Sequence, residues 1–160
     1  MRHARSDETL LHPQQFLASL DADLSSLSIA KHVTMFYAVI DLASGKLVYG
    51  SAGAFPFPFL VNGSDVSELE SSGRPLNLPG RGRFGFGEAE LLPGGRLFLV
   101  SDGVLELQPK KTQRKRRDGI AELLAGAHSI EDMTKSLGLS ESTALSDDIA
   151  LLFARREDTP

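Results

Sequence analysis

The sequence contains no cysteine and no tryptophan. Without cysteine there are no disulfides, no thiolate metal sites and no cysteine nucleophile. An excess of positive charge is missing too. Seventeen Lys and Arg stand against 21 Asp and Glu, a net charge of −4 at pH 7, which is the wrong overall sign for nucleic acid. No apolar run approaches the roughly 18 residues that cross a membrane. The polar opening MRHARSDETL lacks the apolar centre of a secretory signal. The four histidines, His3, His12, His32 and His128, show no metal-ligand spacing and read as structural or exposed. These absences fit a cytoplasmic protein with no membrane and no nucleic-acid partner.

What is present is enough for a core. A 160-residue chain with 41% apolar residues makes one ordinary domain, and such a domain buries roughly 68–70% of the surface its unfolded chain exposes. Fifteen Gly and eight Pro suit short strands joined by tight turns. Residues 1–12 read as linker or tag, 13–156 as the domain and 157–160 as a tail. In HPQQFLASLDADLSSLS, Pro13 suits the first helical position, and Phe16, Leu17, Leu20, Leu24 and Leu27 form one apolar stripe. HVTMFYAVIDLASGKLVYGSAG predicts an antiparallel hairpin, Val33–Ile40 and Lys46–Ser51 about a turn at 41–45. Both faces of its first strand are apolar, so both should be covered.

In AFPFPFLV, Pro56 and Pro58 demote Phe57–Val61 to a bulged or edge strand. Short strands at Val66–Glu70, Phe84–Leu91 and Arg96–Ser101 continue it as a β-meander. The glycines of RGRFGFG are followed by no helix, which argues against a phosphate loop. KKTQRKRR at 110–117 holds six cations in eight residues and reads as a solvated loop or as a dock for an acidic partner. No aromatic residue interrupts it to stack on bases. DGIAELLAGAH and SIEDMTKSLGL predict two short helices, the second capped by Ser129 with Asp132 at its third position. STALSDDIALLFARR supplies a polar, flexible stretch, a carboxylate pair and a last strand, Ile149–Ala154.

The chemistry lies in the acids that flank strands. FLVSDGVLEL drives an apolar run straight into Asp102 and Gly103. Asp-Gly is an ordinary turn dipeptide, and Asp147-Asp148 ahead of a strand is an ordinary solvated loop. If the two strands are antiparallel neighbours, however, Asp102 and Asp147 meet at one edge of a sheet. Carboxylates so placed repel unless a proton or cation lies between them. Oxygen donors without His or Cys suit Mg²⁺ or Mn²⁺.

Residues 13–156 resemble the second part of a metal-dependent protein phosphatase of the type 2C family, of the sporulation stage II E type. The hairpin segment ending in SAG resembles that family's long hairpin with its AGH-like end. SSGRPLNL resembles its Gly-x-Pro-Leu-Gly loop, AELLPGGRLFLVSDGVLEL its strand pair ending in a metal aspartate, and SDDIALLFARR its DDxTLL strand. The nearest flavour is the phosphatase module at the C-terminus of response regulators in sigma-factor control.

The resemblance implies an α+β fold of two packed antiparallel β-sheets flanked by helices. It implies Asp102 and Asp147 as metal ligands, with Asp148 acting through water and Gly103 beside them. It implies two Mg²⁺ or Mn²⁺ ions that activate water, and hydrolysis of phosphoserine or phosphothreonine on a protein. The partner would be a phosphorylated anti-sigma antagonist or another sigma-factor regulator. The family's first metal motifs lie upstream of the helix at 13, and nothing like them precedes it here. The chain is therefore read as a fragment holding half of the metal site, with little activity alone. Sheet edges left uncovered would invite a homodimer. Three positions depart from the family pattern: Ala54 for His, Asn77 for Gly and Ala150 for Thr. They motivate the alternative of a non-catalytic module that recruits a sigma-factor or anti-sigma partner.

Overall fold

The computed structural model describes residues 7–27, 30–80, 83–107, 112–139 and 147–157. Contacts divide the chain into two compact units, Met1–Ala54 with Leu69–Glu90, and Phe55–Glu68 with Leu91–Pro160.

The first unit carries helices α1 (Asp7–Leu11) and α2 (Pro13–Ser26) and strands β1 (Met35–Ile40), β2 (Lys46–Ala52) and β5 (Phe86–Glu90). The strands form an antiparallel sheet in the order β1-β2-β5. Proline opens α2, where its missing N–H costs nothing. Leu17 is fully buried with Ala52, Leu76 and Phe84, while Leu27 at the foot of the expected stripe is 63% exposed. Gly50 lets the helix approach the sheet: a Cβ there would lie 3.2 Å from Leu17 Cδ1. Phe16 stacks on Tyr37 at 4.0 Å. The Tyr37 hydroxyl donates to the Leu10 carbonyl at 2.9 Å, so part of the segment read as linker is a helix tied to β1. The hairpin forms as expected, from Met35↔Ala52 to Ile40↔Leu47. Its first strand is half-buried throughout rather than covered on both faces, because β1 is a sheet edge.

The second unit carries β3 (Phe59–Asn62), β4 (Asp65–Glu68), β6 (Arg96–Val100) and β7 (Leu151–Arg155). It also holds a 3-10 helix, Asp102–Leu107, and helices α3 (Gln113–Ala125) and α4 (Ile130–Ser136). The antiparallel sheet runs β4-β3-β6-β7. Phe59 and Phe98 pair in register and are both fully buried, which contributes about 1.5–3 kcal/mol for each side chain. Ile120, Leu124 and Met133 bring α3 and α4 onto the same core. Ser129 caps α4 as expected: its hydroxyl accepts the Asp132 N–H at 3.0 Å, and the Asp132 carboxylate accepts the His128 N–H at 3.0 Å.

Three expectations are corrected here. The strand read as bulged or edge is interior, because β3 begins at Phe59, after both prolines, and pairs on both sides. The meander is broken, because β5 joins β2 in the other sheet. Gly87 faces Tyr49 in that pairing and leaves the space its phenol ring fills. The basic run is not all loop, since Arg114–Arg117 open α3. Arg117 pairs with Glu68 at 2.9 Å and Arg116 with Glu106 at 3.8 Å. His12, His32 and His128 are exposed. His3, Arg81-Gly82 of the glycine loop, Lys110-Lys111, the polar stretch 142–146 and residues 158–160 of the tail lie outside the described residues. Among the described residues no helix is long and apolar enough to cross a membrane.

Candidate metal-binding edge

Strand β6 spends its apolar residues on the core and ends at Val100, opposite Leu151 of β7. Ser101 carries the pairing beyond the strand. Its N–H donates to the Ala150 carbonyl at 3.0 Å, and its hydroxyl accepts the Ala150 N–H at 2.9 Å. The same hydroxyl donates to the Asp148 carbonyl at 3.2 Å. Asp102 then opens the 3-10 helix, which Val104 roots in the core at 0% exposure.

The Asp102 side chain is thus an exposed carboxylate between two anchored neighbours. Gly103 lies directly against the backbone of the facing segment. A Cβ there would collide with the Asp148 carbonyl oxygen and sit 3.1 Å from its carbon. Asp147 and Asp148 are exposed just before β7. Asp147 Oδ1 accepts the Asp148 N–H at 2.8 Å, which fixes the turn into the strand.

The conditional drawn from sequence is met in its topology: β6 and β7 are antiparallel neighbours, and Asp102 and Asp147-Asp148 sit at the same end of that pair. The contacts that join the two segments run through Ser101 and Gly103, not through the carboxylates. Among the described residues, none of these three acids is ion-paired. Among the described residues no group of three or more His, Cys, Asp or Glu converges there. The donor set is all oxygen and exposed, with no cation paired to it among the described residues. That chemistry fits a contribution of carboxylates to a hard divalent ion such as Mg²⁺ or Mn²⁺, with the rest of its shell filled by water, substrate or other donors.

Sequence reading missed several polar residues that hold this chain together. Ser101 was visible only as the polar end of an apolar run. Arg96, 4% exposed at the start of β6, donates to the Ala127 carbonyl at 2.6 Å. Burial, and then the charge of Arg155, holds its guanidinium below the usual arginine range. In the other unit, Asp21 of α2 receives both terminal nitrogens of Arg74, at 2.5 and 3.3 Å, and the Asn77 N–H at 2.7 Å. This fastens the SSGRPLNL loop to the helix. Asn77 itself has φ of +60°.

The family profile described as "Stage II sporulation protein E (SpoIIE)" matches residues 1–157. The phosphoserine phosphatase RsbU of Bacillus subtilis (strain 168) is 28% identical over 159 residues, 94% of this chain and 47% of that protein. The chain therefore spans about half the length of that curated relative. Among solved structures, the RsbU and RsbW domains of Rv1364c from Mycobacterium tuberculosis superpose with a TM-score of 0.74 at 26% identity, over 92% of this chain and 44% of that one. The manganese-presoaked phosphatase domain of the cell fate determinant SpoIIE from Bacillus subtilis gives 0.66 at 18% identity, over 100% and 77%.

Proposed function

The chain belongs to the stage II sporulation protein E family and has its type 2C phosphatase fold, and from that premise we propose that it hydrolyses phosphoserine or phosphothreonine on a signalling protein with the help of divalent cations. The observation that carries this reading is the pinned edge between β6 and β7. Ser101 and Gly103 lock the two backbones together and leave Asp102 and Asp147 exposed at one end, with no ion pair among the described residues.

In this reading Asp102 and Asp147 would hold Mg²⁺ or Mn²⁺, with Asp148 assisting through water, and Gly103 keeps the two segments at contact distance. Such cations, when bound by these carboxylates, would supply an acidified water and charge for the phosphoryl oxygens, so the chain would need no Ser, Cys or His nucleophile. The protein's own part is to hold two carboxylates rigidly enough that no reorganisation is required on binding. Likeness to RsbU, and to a chain that joins RsbU and RsbW domains, supports a phosphorylated regulator of sigma-factor control as partner. A cytoplasmic module serving as the output of a response regulator, with a second copy as a further partner, is part of the same proposal and is carried over from the sequence resemblance alone. The extent of the domain, 13–156, is part of the same proposal.

The test is cation-dependent hydrolysis of a small aryl phosphate by the full-length protein. Asp102→Asn should lower the Mn²⁺-supported rate about a hundredfold or more, the several kcal/mol that a metal supplies in such chemistry. Full rate and unchanged Mn²⁺ dependence in that variant would overturn the reading. A second reading, a non-catalytic module that recruits a sigma-factor or anti-sigma partner, rests on Ala54, where the resemblance gives a histidine. Its signature would be tight binding of the regulator with no turnover.

A further inference from the structure

Among the described residues, the basic run that the phosphatase reading leaves unused has two kinds of cation in it. Arg116 and Arg117 are engaged, with Glu106 and Glu68, and Arg117 also lies 5.9 Å from the Phe55 ring centre. Arg114 and Lys115 are exposed and make no ion pair among the described residues. Four consecutive cations open α3, at the end of a helix where its dipole is already positive. The Thr112 side chain makes no capping hydrogen bond there. The same chain builds α4 the stable way, with Ser129 as cap and Glu131 and Asp132 in the first turn. Arg116 and Arg117 offset that cost with their ion pairs, whereas Arg114 and Lys115 break the local rule with no ion pair among the described residues, which marks a surface kept for something else.

Its position says what that is. Arg116 reaches Glu106 on the 3-10 helix that begins at Asp102, so the exposed pair belongs to the element next to the candidate metal edge. We propose that Arg114 and Lys115 form a docking surface for an acidic segment of the protein substrate, holding an Asp- or Glu-rich stretch that flanks the phosphorylated residue. The identity of that segment as substrate rests on the proposed phosphatase activity; the docking itself does not. Nucleic acid fits less well. The chain is net negative, and no aromatic lies in the run to stack a base. A protein segment with several carboxylates matches the pair in charge.

The test uses the full-length protein and two labelled phosphoserine peptides, one flanked by a run of Glu and the other by a run of Gln. Fluorescence anisotropy reads binding without turnover. The Glu peptide should bind about tenfold more tightly, in the range that surface electrostatics supplies. The preference should vanish in Arg114→Glu/Lys115→Glu, persist in Lys135→Glu on α4, and shrink as salt shortens the screening length. Equal binding of the two peptides, or a preference that survives the double reversal, overturns the docking surface. So does a single-stranded oligonucleotide that binds more tightly than the Glu peptide. If the wild-type protein shows the charge-dependent binding but never hydrolyses peptide or aryl phosphate with Mn²⁺, the docking stands and the phosphatase reading falls.

Discussion

Replacing Gly103 by alanine probes the edge between β6 and β7 without touching a carboxylate. The new methyl would point into the backbone of Asp148, with Ile149 Cγ1 at 3.2 Å behind it. Neither neighbour is the far end of a flexible side chain. The Asp148 carbonyl is held by the Ser101 hydroxyl, and Ala150 is held to Ser101 by two hydrogen bonds. The methyl must therefore push the two segments apart. Overpacking of this kind costs about 1–3 kcal/mol, and each Ser101 hydrogen bond lost adds about 0.5–1.5 kcal/mol. A total of about 2–4 kcal/mol follows, which at about 2–4 °C per kcal/mol for a chain of this size lowers Tm by roughly 5–15 °C. The assay is thermal and urea unfolding followed by circular dichroism, with Gly126→Ala as control. A Cβ at Gly126 meets nothing within 4 Å, so that variant should stay within about 0.5 kcal/mol of wild type. If Gly103→Ala did the same, the segment before β7 would yield freely, and the rigidity claimed for Asp102 and Asp147 would be wrong.

Other substitutions test separate parts of the fold. Ser129→Ala removes the cap of α4 and should cost about 1 kcal/mol in urea unfolding; no loss would mean the last helix is held by Met133 packing alone. Asn77→Gly should change stability by only a few tenths of a kcal/mol, while Asn77→Val should cost about 1–2 kcal/mol, because φ of +60° excludes a β-branched residue; equal effects would refute that reading of the loop. Burial, and then the charge of Glu70, raises the pKa of the Tyr49 phenol above the usual tyrosine value. The fold therefore favours the neutral phenol. Its stabilisation is complete below the ordinary pKa and is lost as pH rises through the higher folded one. Wild type should lose stability in that alkaline range, and Tyr49→Phe should lack that component; parallel curves for the two proteins would contradict it.

What could be read in the sequence follows from how local each cause is. The cap at Ser129, the proline at the head of α2 and the β1–β2 hairpin depend on residues close together in the chain, and each formed where the pattern put it. The pairing of β6 with β7 entered the sequence reading only as a condition, because acids at strand ends mark where a site would form without fixing which strands are neighbours. The partner of β5 was not readable. It is set by Gly87 making room for Tyr49, a fit between residues far apart that no periodicity reveals. The same holds for Arg96, an arginine heading an apolar strand, whose partner Ala127 offers only a backbone carbonyl. Composition could not show that acceptor.

Backbone geometry also changes the weight of the three departures from the family pattern. Asn77 stands for a glycine at a left-handed position, and asparagine is the residue that best tolerates that conformation after glycine. It also adds a hydrogen bond from Nδ2 to the Lys31 carbonyl at 2.8 Å, so the loop keeps its shape and gains a tether. At Ala150 it is the N–H and the carbonyl that work, both bonded to Ser101, and no side chain is asked for. Neither change loosens what holds Asp102 beside β7. Ala54 differs in kind: its N–H bonds the Ser51 hydroxyl at 3.1 Å, which preserves the turn after β2, but its methyl supplies no imidazole. The case for a non-catalytic module therefore narrows to one side chain. If Ala54→His raises Mn²⁺-dependent turnover of the full-length protein, the wild-type chain has given up part of its catalytic equipment. An unchanged rate would leave the pinned carboxylate edge as the part that chemistry depends on.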